Sequence, residues 1–233
     1  MKEEIINKKV NDLIDNFDSY ISYFKKDNPF SGPSEYFYMN KIIKTIKTRD
    51  DGKIFCTDFI ELVYATLASW GMHRMGPDNK GAKMNDFGAF KDCIMKNKEL
   101  FIELSPLKLE EVKLDVESIE KLNKIYSYLG PLMRSNSKLV ATTKVMHFFL
   151  PDLVPPMDRE YTMKFFNIIL PTIKSSNDHK NIEKEVEIFN FVLLKMQDIC
   201  KNVDCKKFID NLFSPSVPKV LDNAIVGYIR KHK

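Results

Sequence analysis

The sequence lacks the loop motifs of the commonest nucleotide-binding and zinc enzymes. Only 8 glycines occur in 233 residues, and neither G-x-x-x-x-G-K-[ST] nor G-x-G-x-x-G is present. This argues against folds that cradle phosphates in a glycine-rich loop. Neither H-E-x-x-H nor H-x-E with C-x-x-C occurs, which argues against the common zinc hydrolases and deaminases. The four histidines show no local pattern that would activate a nucleophilic cysteine.

Cysteine and long apolar runs are also scarce. The four cysteines are scattered, and Cys200 and Cys205, five residues apart, have no histidine near them. We therefore predict reduced thiols, and no metal site or cofactor. No uncharged apolar run approaches the ~20 residues that span a bilayer. The first 17 residues are charged throughout and lack the apolar core of a signal peptide, so we predict a cytoplasmic protein with no membrane segment.

Helical patterning dominates what is present. Hydrophobic residues make up 44% of the chain and charged residues 29%, as in ordinary globular proteins. Apolar residues recur at i, i+3 and i+4 along most of the chain, and no alternating pair of strands is found. We predict an all-α fold of about nine to eleven helices in one domain over residues 1–233. An alternative is two packed helical lobes with a cleft near 70–83 and 131–160.

The pattern locates most of these helices. They are predicted over residues 2–26, 34–48, 57–70, 116–129, 139–150, 158–170, 182–200 and 217–230. Segment 57–70 is apolar almost all round, so we predict that it is the buried central helix.

Charge is unevenly distributed along the chain. The net charge is only +4, yet the 31 residues from 121 to 151 contain no acid. The same stretch carries five basic residues: Lys121, Lys124, Arg134, Lys138 and Lys144. It is the strongest candidate for a basic surface that would attract nucleic acid. The alternative is a solvated face that happens to lack acids.

The segment SWGMHRMGPDNKGAK, residues 69–83, is a second candidate region. It combines Trp70, the only tryptophan, with His73, Arg74, Lys80 and Lys83 in a glycine-rich loop. Such a loop can stack an unpaired base on the aromatic ring and hold phosphates with its cations. Alternatively, Trp70 anchors the end of the preceding helix in the core and the loop is a surface turn.

A third region supplies a family resemblance. The segment NSKLVATTKVMHFFLPDLVPPMD, residues 136–158, is similar to the signature of the helix-hairpin-helix DNA glycosylase superfamily. The resemblance implies a helical protein that binds DNA and excises a base. It also implies that Asp158 assists departure of the base or activates a nucleophile. Asn136 and Lys138 fall at the family's hairpin glycines, and Met146 falls at an apolar helix position.

The lysine nucleophile of bifunctional glycosylases would fall at Val140 by the same alignment. The resemblance therefore implies a monofunctional or degenerate glycosylase without Schiff-base lyase activity. The candidate nucleic-acid-binding residues are Trp70, His73, Arg74, Arg134, Ser137, Lys138, Lys144 and Arg159. The alternative role for Asp158 needs no chemistry, because an Asp after two prolines is also a favourable helix cap.

Three functions remain open at this point. The first is a DNA-binding protein that resembles a base-excision glycosylase, with DNA as its partner. The second is a non-enzymatic α-helical protein that binds nucleic acid or another protein through the surface formed by residues 121–151. The third is a small-molecule-binding helical protein that uses the loop from Trp70 to Lys83.

Overall fold

Eleven α-helices make up most of the described chain, which in this computed structural model comprises residues 2–26, 33–72, 84–111, 114–173, 178–210 and 212–233. They are α1 (Lys2–Asp15), α2 (Phe17–Lys26), α3 (Pro33–Lys47), α4 (Asp51–Ile54), α5 (Thr57–Leu67), α6 (Phe87–Lys96), α7 (Lys98–Leu104), α8 (Val116–Leu129), α9 (Leu139–Phe149), α10 (His179–Asn202) and α11 (Val217–Lys231). These residues contain no β-strand, only one isolated bridge between Met84 and Met133. The prediction of an all-α fold is confirmed.

Short helical turns extend or connect several of these helices. A π-helical turn, Ala68–Met72, continues α5, and a second one, Arg159–Met163, follows the proline-rich link after α9. Two 3₁₀ turns, Gly130–Leu132 and Cys205–Phe208, follow α8 and α10. The segment that resembles the glycosylase signature thus spans α9, the link and the entry to the second π-helical turn.

The most buried helix is α11, the last one in the described chain. Every residue from Val217 to Tyr228 is buried. Its main partner is α2, and the two backbones approach closely at Gly227. A Cβ atom at Gly227 would lie 2.1 Å from the backbone oxygen of Tyr20, so this contact requires glycine.

The expectation that segment 57–70 forms the buried central helix is wrong. Thr57, Asp58, Glu61 and Ala65 are exposed, so α5 has a solvent-facing edge. The physical reason lies in its first turns, where polar side chains at i, i+1 and i+4 form one stripe. The apolar residues of α5 pack against α3, α6 and α9 instead.

Two other predicted helices are interrupted or end early in the structure. The helix predicted over 2–26 is interrupted at Asn16, whose side-chain amide donates to the backbone oxygen (3.3 Å) and carboxylate (2.8 Å) of Asp12. The helix predicted over 158–170 is shorter because Asn167 adopts a left-handed backbone conformation (φ 52°). Lys9 Nζ also donates to the carbonyl oxygens of Lys164 (3.0 Å) and Phe165 (3.1 Å), which caps the helix end.

Candidate functional site

Asp158 caps the π-helical turn Arg159–Met163. Its Oδ1 accepts hydrogen bonds from the backbone N–H groups of Glu160 (2.6 Å) and Tyr161 (3.2 Å). In return, the backbone N–H of Asp158 donates to Thr162 Oγ1 at 3.0 Å. The capping role considered for Asp158 is therefore confirmed, and these bonds fix the orientation of its carboxylate.

Capping uses only one of the two carboxylate oxygens. No hydrogen bond from a described residue reaches Asp158 Oδ2, and the side chain is only half-buried. The capping bonds to Oδ1 fix the orientation of the carboxylate, and Oδ2 can still accept a hydrogen bond from another group. The capping and catalytic interpretations of Asp158 are thus compatible.

A buried ion pair lies close to Asp158, on α11. Lys219 Nζ donates to Asp222 Oδ2 at 2.6 Å and to Asn223 Oδ1 at 2.7 Å. Lys219 is 5% exposed and Asp222 6%. Burial raises the pKa of Asp222, and the negative charge of Asp158 raises it further, whereas Lys219 and Lys144 lower it. We call Lys144, Asp158, Lys219 and Asp222 the charged cluster.

Neutral groups form hydrogen bonds with Asn223, the residue that also accepts from Lys219. Asn223 Nδ2 donates to the Phe213 carbonyl oxygen (2.9 Å) and to Ser214 Oγ (3.0 Å), which fixes the amide oxygen that faces Lys219. Burying two charges costs several kcal/mol per ion unless their hydrogen bonds are satisfied. This network supplies partners for Lys219 Nζ, Asp222 Oδ2 and the Asn223 amide, which offsets part of that cost.

Trp70 and Lys144 form the neighbouring wall of the site. Lys144 Nζ lies 5.6 Å from the centroid of the Trp70 ring, within cation–π range. The ring also packs on Phe148, with centroids 4.9 Å apart. Trp70 therefore anchors its turn on α9, as one interpretation predicts, and it also borders the charged cluster. His73, Arg74, Lys80 and Lys83, the other candidates in this loop, lie outside the described residues.

His147, one turn after Lys144 on α9, is fully buried and only partly hydrogen-bonded. Its Nδ1 lies 2.8 Å from the Val154 carbonyl oxygen, so Nδ1 carries the proton and donates. Burial, together with the charge of Lys219, lowers the pKa of His147 to about 3, and the ring is neutral at pH 7. Nε2 is then a buried acceptor without a partner among the described residues, as is the hydroxyl of Ser216. They are two of seven buried side-chain atoms without a hydrogen-bond partner among the described residues, so they do not by themselves distinguish this region.

The predicted residues at the other end of α9 have a different environment. Glu185, from α10, accepts hydrogen bonds from the backbone N–H of Lys138 (3.0 and 3.1 Å) and from Tyr126 Oη (3.0 Å). Lys138 Nζ donates to the Met133 carbonyl oxygen, and Ser137 is only 4% exposed. In this arrangement Ser137 and Lys138 belong to an internal network, apart from the charged cluster.

The two predicted arginines that the structure describes are both exposed. Arg134 donates from Nη2 to Asn85 Oδ1 at 2.9 Å, and Arg159 occupies the first position of the π-helical turn that Asp158 caps. Neither arginine forms an ion pair with another described residue. Both side chains are exposed, and the charge of Arg159 contributes to lowering the pKa of the neighbouring Glu160.

Sequence reasoning missed the α11 half of the site. Lys219, Asp222 and Asn223 lie in SPSVPKVLDNAIVGYI, where a polar K-x-x-D-N group interrupts an otherwise apolar helix. A lysine and an aspartate three residues apart usually form a solvent-exposed pair. The available signal was the apolar run from Ala224 to Ile229 that directly follows the polar K-x-x-D-N group, which predicts burial of this part of the helix.

Metal sites and membrane spans each set requirements with which the described residues can be compared. Within the described ranges, no group of three or more His, Cys, Asp or Glu side chains could hold a metal ion. None of the helices described above is both long and apolar enough to cross a membrane. No family model, curated protein or solved structure matches the chain.

Proposed function

We propose that the protein binds DNA and releases a base from a nucleotide turned out of the duplex, with Asp158 as the catalytic carboxylate. One observation carries the proposal: Asp158 is fixed by its capping bonds, keeps Oδ2 free of partners among the described residues, and lies in a cluster with Lys144 and the buried pair Lys219–Asp222. The resemblance of residues 136–158 to the glycosylase signature points to the same aspartate.

The chemistry requires a fixed negative charge beside the sugar. When the bond between C1′ and the base nitrogen breaks, the base leaves with the electron pair and positive charge develops on the sugar. Asp158 Oδ2 stabilises that charge, and water then adds to C1′ and supplies the proton to the base. Lys219 is held by Asp222 and Asn223, so it does not serve as an amine nucleophile. The reaction is monofunctional, as the valine at position 140 also implies.

Cations and an aromatic ring supply the binding contacts. Arg134, Lys144 and Arg159 are the described residues with which phosphates would pair, and Trp70 offers an aromatic face for an unstacked base. Three such contacts correspond to a slope of about −3 in a plot of log affinity against log salt concentration. The four unpaired cysteines fit a reducing compartment, and we place the activity in the cytoplasm.

The first test measures binding of a fluorescent duplex that carries a stable abasic-site analogue, against the undamaged duplex, at two salt concentrations. We expect tighter binding to the abasic duplex and weakening with salt. Equal, salt-sensitive binding of both duplexes would favour the non-enzymatic nucleic-acid-binding alternative. If neither duplex binds at low salt, DNA binding is excluded.

The second test compares Asp158→Asn with the wild type in a base-release assay on duplexes with damaged or modified bases. Asparagine caps a helix as well as aspartate does, so the fold is retained while the charge is lost. We expect base release to fall about 100-fold or more. Asp86→Asn is the matched control, because Asp86 caps α6 by accepting from the Ala89 N–H and is not part of the charged cluster. Full activity in Asp158→Asn would exclude the catalytic role.

A further inference from the structure

A separate cavity lies where α3, α4, α7 and α9 meet. Its volume is about 180 Å³, and its lining combines an aromatic floor with a charged rim. The floor includes Phe55, Phe101 and Phe149, and the rim includes Arg49, Asp51 and Asp152. None of these six residues belongs to the charged cluster around Asp158.

The floor is a packed aromatic group. The ring centroids of Phe101 and Phe149 lie 5.0 Å apart, and those of Phe55 and Phe149 lie 6.1 Å apart in a stacked arrangement. A ligand ring placed on this floor would meet aromatic faces and edges at favourable angles. The floor therefore suits a flat apolar group.

The rim carries charge of both signs. Arg49, Asp51 and Asp152 line the opening, and their side chains make no hydrogen bond or ion pair with another described residue. Asp50, in contrast, is engaged in capping α4 and pairs with Lys53. Lys47 also lines the cavity, and its Nζ donates to the Pro215 carbonyl oxygen at 3.0 Å. Two cations and two anions therefore surround the opening, and they complement a molecule that carries both charges.

The backbone of Arg49 adds a second observation. Its φ is 52°, a left-handed conformation at the end of α3 in which glycine is the favoured residue. Non-glycine residues in such conformations are concentrated at functional sites. Arg49, a non-glycine residue in this conformation, is one of the residues that line the cavity.

The size of the cavity limits the ligand. A cavity of about 150 Å³ holds a benzene molecule, and pockets for drug-sized ligands begin at about 300 Å³. A volume of 180 Å³ thus holds one six-membered ring, with the substituents of the ring at the rim.

We propose that this cavity binds a small zwitterion with a single aromatic ring, of the phenylalanine type. The ring lies on the Phe55–Phe101–Phe149 floor, the carboxylate pairs with Arg49, and the ammonium group lies between Asp51 and Asp152. A guanidinium group binds a carboxylate through two parallel hydrogen bonds, which sets the direction of the ligand. This inference is independent of the proposed DNA chemistry.

The test is a titration with L-phenylalanine, followed by ligand-observed NMR on the full chain. We expect saturable binding below about 10 mM. Phenylalanine amide, which lacks the carboxylate, and 3-phenylpropionate, which lacks the ammonium group, should each bind about tenfold more weakly. L-alanine should not bind. Equal affinity for phenylalanine and its amide, or no saturable binding of phenylalanine, would overturn the proposal.

Arg49→Gly separates the binding role from folding. Glycine suits the left-handed conformation at this position, so the variant should fold at least as well as the wild type while losing the carboxylate partner. We expect phenylalanine to bind this variant about tenfold more weakly. Asn167→Gly, at the other left-handed residue of the described chain, is the backbone control and should bind normally. Asp158→Asn should also bind normally, so a failed DNA assay and a failed phenylalanine titration are distinguishable results.

Discussion

Two helical segments between residues 137 and 163, α9 and the π-helical turn Arg159–Met163, find acceptors for the backbone N–H groups of their first turn in different ways. Both leave backbone N–H groups that need acceptors. At the start of α9 the acceptor is Glu185, a buried acid from α10 that also binds Tyr126. At the turn Arg159–Met163 the acceptor is its own cap, Asp158, which keeps one oxygen available.

The difference shows where a ligand can be accommodated. The Lys138 N–H at the start of α9 is occupied by an internal carboxylate, that of Glu185. A phosphate at that position would have to displace a buried negative charge. At the Asp158 end, none of the described residues donates to Oδ2, and the charges of Asp158, Lys144 and Lys219 all act on Asp222.

The largest expected effect on the free energy of unfolding comes from the buried ion pair Lys219–Asp222, close to Asp158. Lys219→Met removes the cation and leaves Asp222 buried without its partner, which should cost about 3–5 kcal/mol of unfolding free energy. Urea denaturation measures the loss. The double variant Lys219→Met/Asp222→Leu removes both charges and should regain most of it. A loss below about 1 kcal/mol in the single variant would show that Asp222 is not an uncompensated buried charge.

The next effect is a pH dependence from His147. Its pKa is about 3 in the folded protein and about 6.5 when unfolded, so the unfolded chain binds the proton first as pH falls. This contribution to stability is present above pH 6.5 and declines by up to about 1.4 kcal/mol per pH unit below it. By pH 4 the loss from this group should reach about 3 kcal/mol. His147→Gln should flatten the slope between pH 6.5 and 4, and an unchanged slope would contradict the assignment.

A smaller effect on stability, with the opposite dependence on pH, is expected from Glu185 at the start of α9. Burial raises the pKa of Glu185, so the folded protein binds the proton more readily than the unfolded chain. The associated stability is present below the usual glutamate pKa and is lost as pH rises through the raised value. Glu185→Gln should cost about 1 kcal/mol. Chemical denaturation at pH 4.5 and 7 should show a larger advantage of the wild type over the variant at pH 4.5.

The smallest effect concerns the cap itself. Asp158→Ala should cost about 1 kcal/mol, because the Glu160 and Tyr161 N–H groups lose their acceptor. Asp158→Asn should cost almost nothing, since asparagine also caps. Thermal unfolding of the two variants side by side checks this difference. Equal losses in both would mean that the charge, rather than the cap, stabilises this turn.

The sequence predicted helices best where their ends are marked locally. Helix α8 has the predicted bounds because Asp115 caps its start and Gly130-Pro131 follows its end. The observed helix ends before residue 170 because Asn167 adopts a left-handed conformation, and Lys9, a residue far away in the chain, caps the carbonyl groups of Lys164 and Phe165 there. Local patterns carry no information about such a contact.

The candidate site was predictable to a similar extent. Asp158, Lys144 and Trp70 stand out in the sequence. In the structure Lys144 lies over the Trp70 ring, and the charges of both Lys144 and Asp158 act on Asp222. The pair Lys219–Asp222 did not stand out, because a lysine and an aspartate three residues apart are typical of exposed helices. Their burial follows from the packing of α11 among the other helices.

The close contact between α2 and α11 at Gly227 also constrains the timing of folding on the ribosome. The two helices are separated by about 190 residues, and translation at 5–20 residues per second leaves about 10–40 s between their appearance. During that interval Phe17, Tyr20, Ile21 and Phe24 of α2 lack their final partner. The apolar face of α2 must therefore be shielded in another way while the rest of the chain is synthesised. A chaperone that binds exposed apolar helices would first contact the nascent chain at α2.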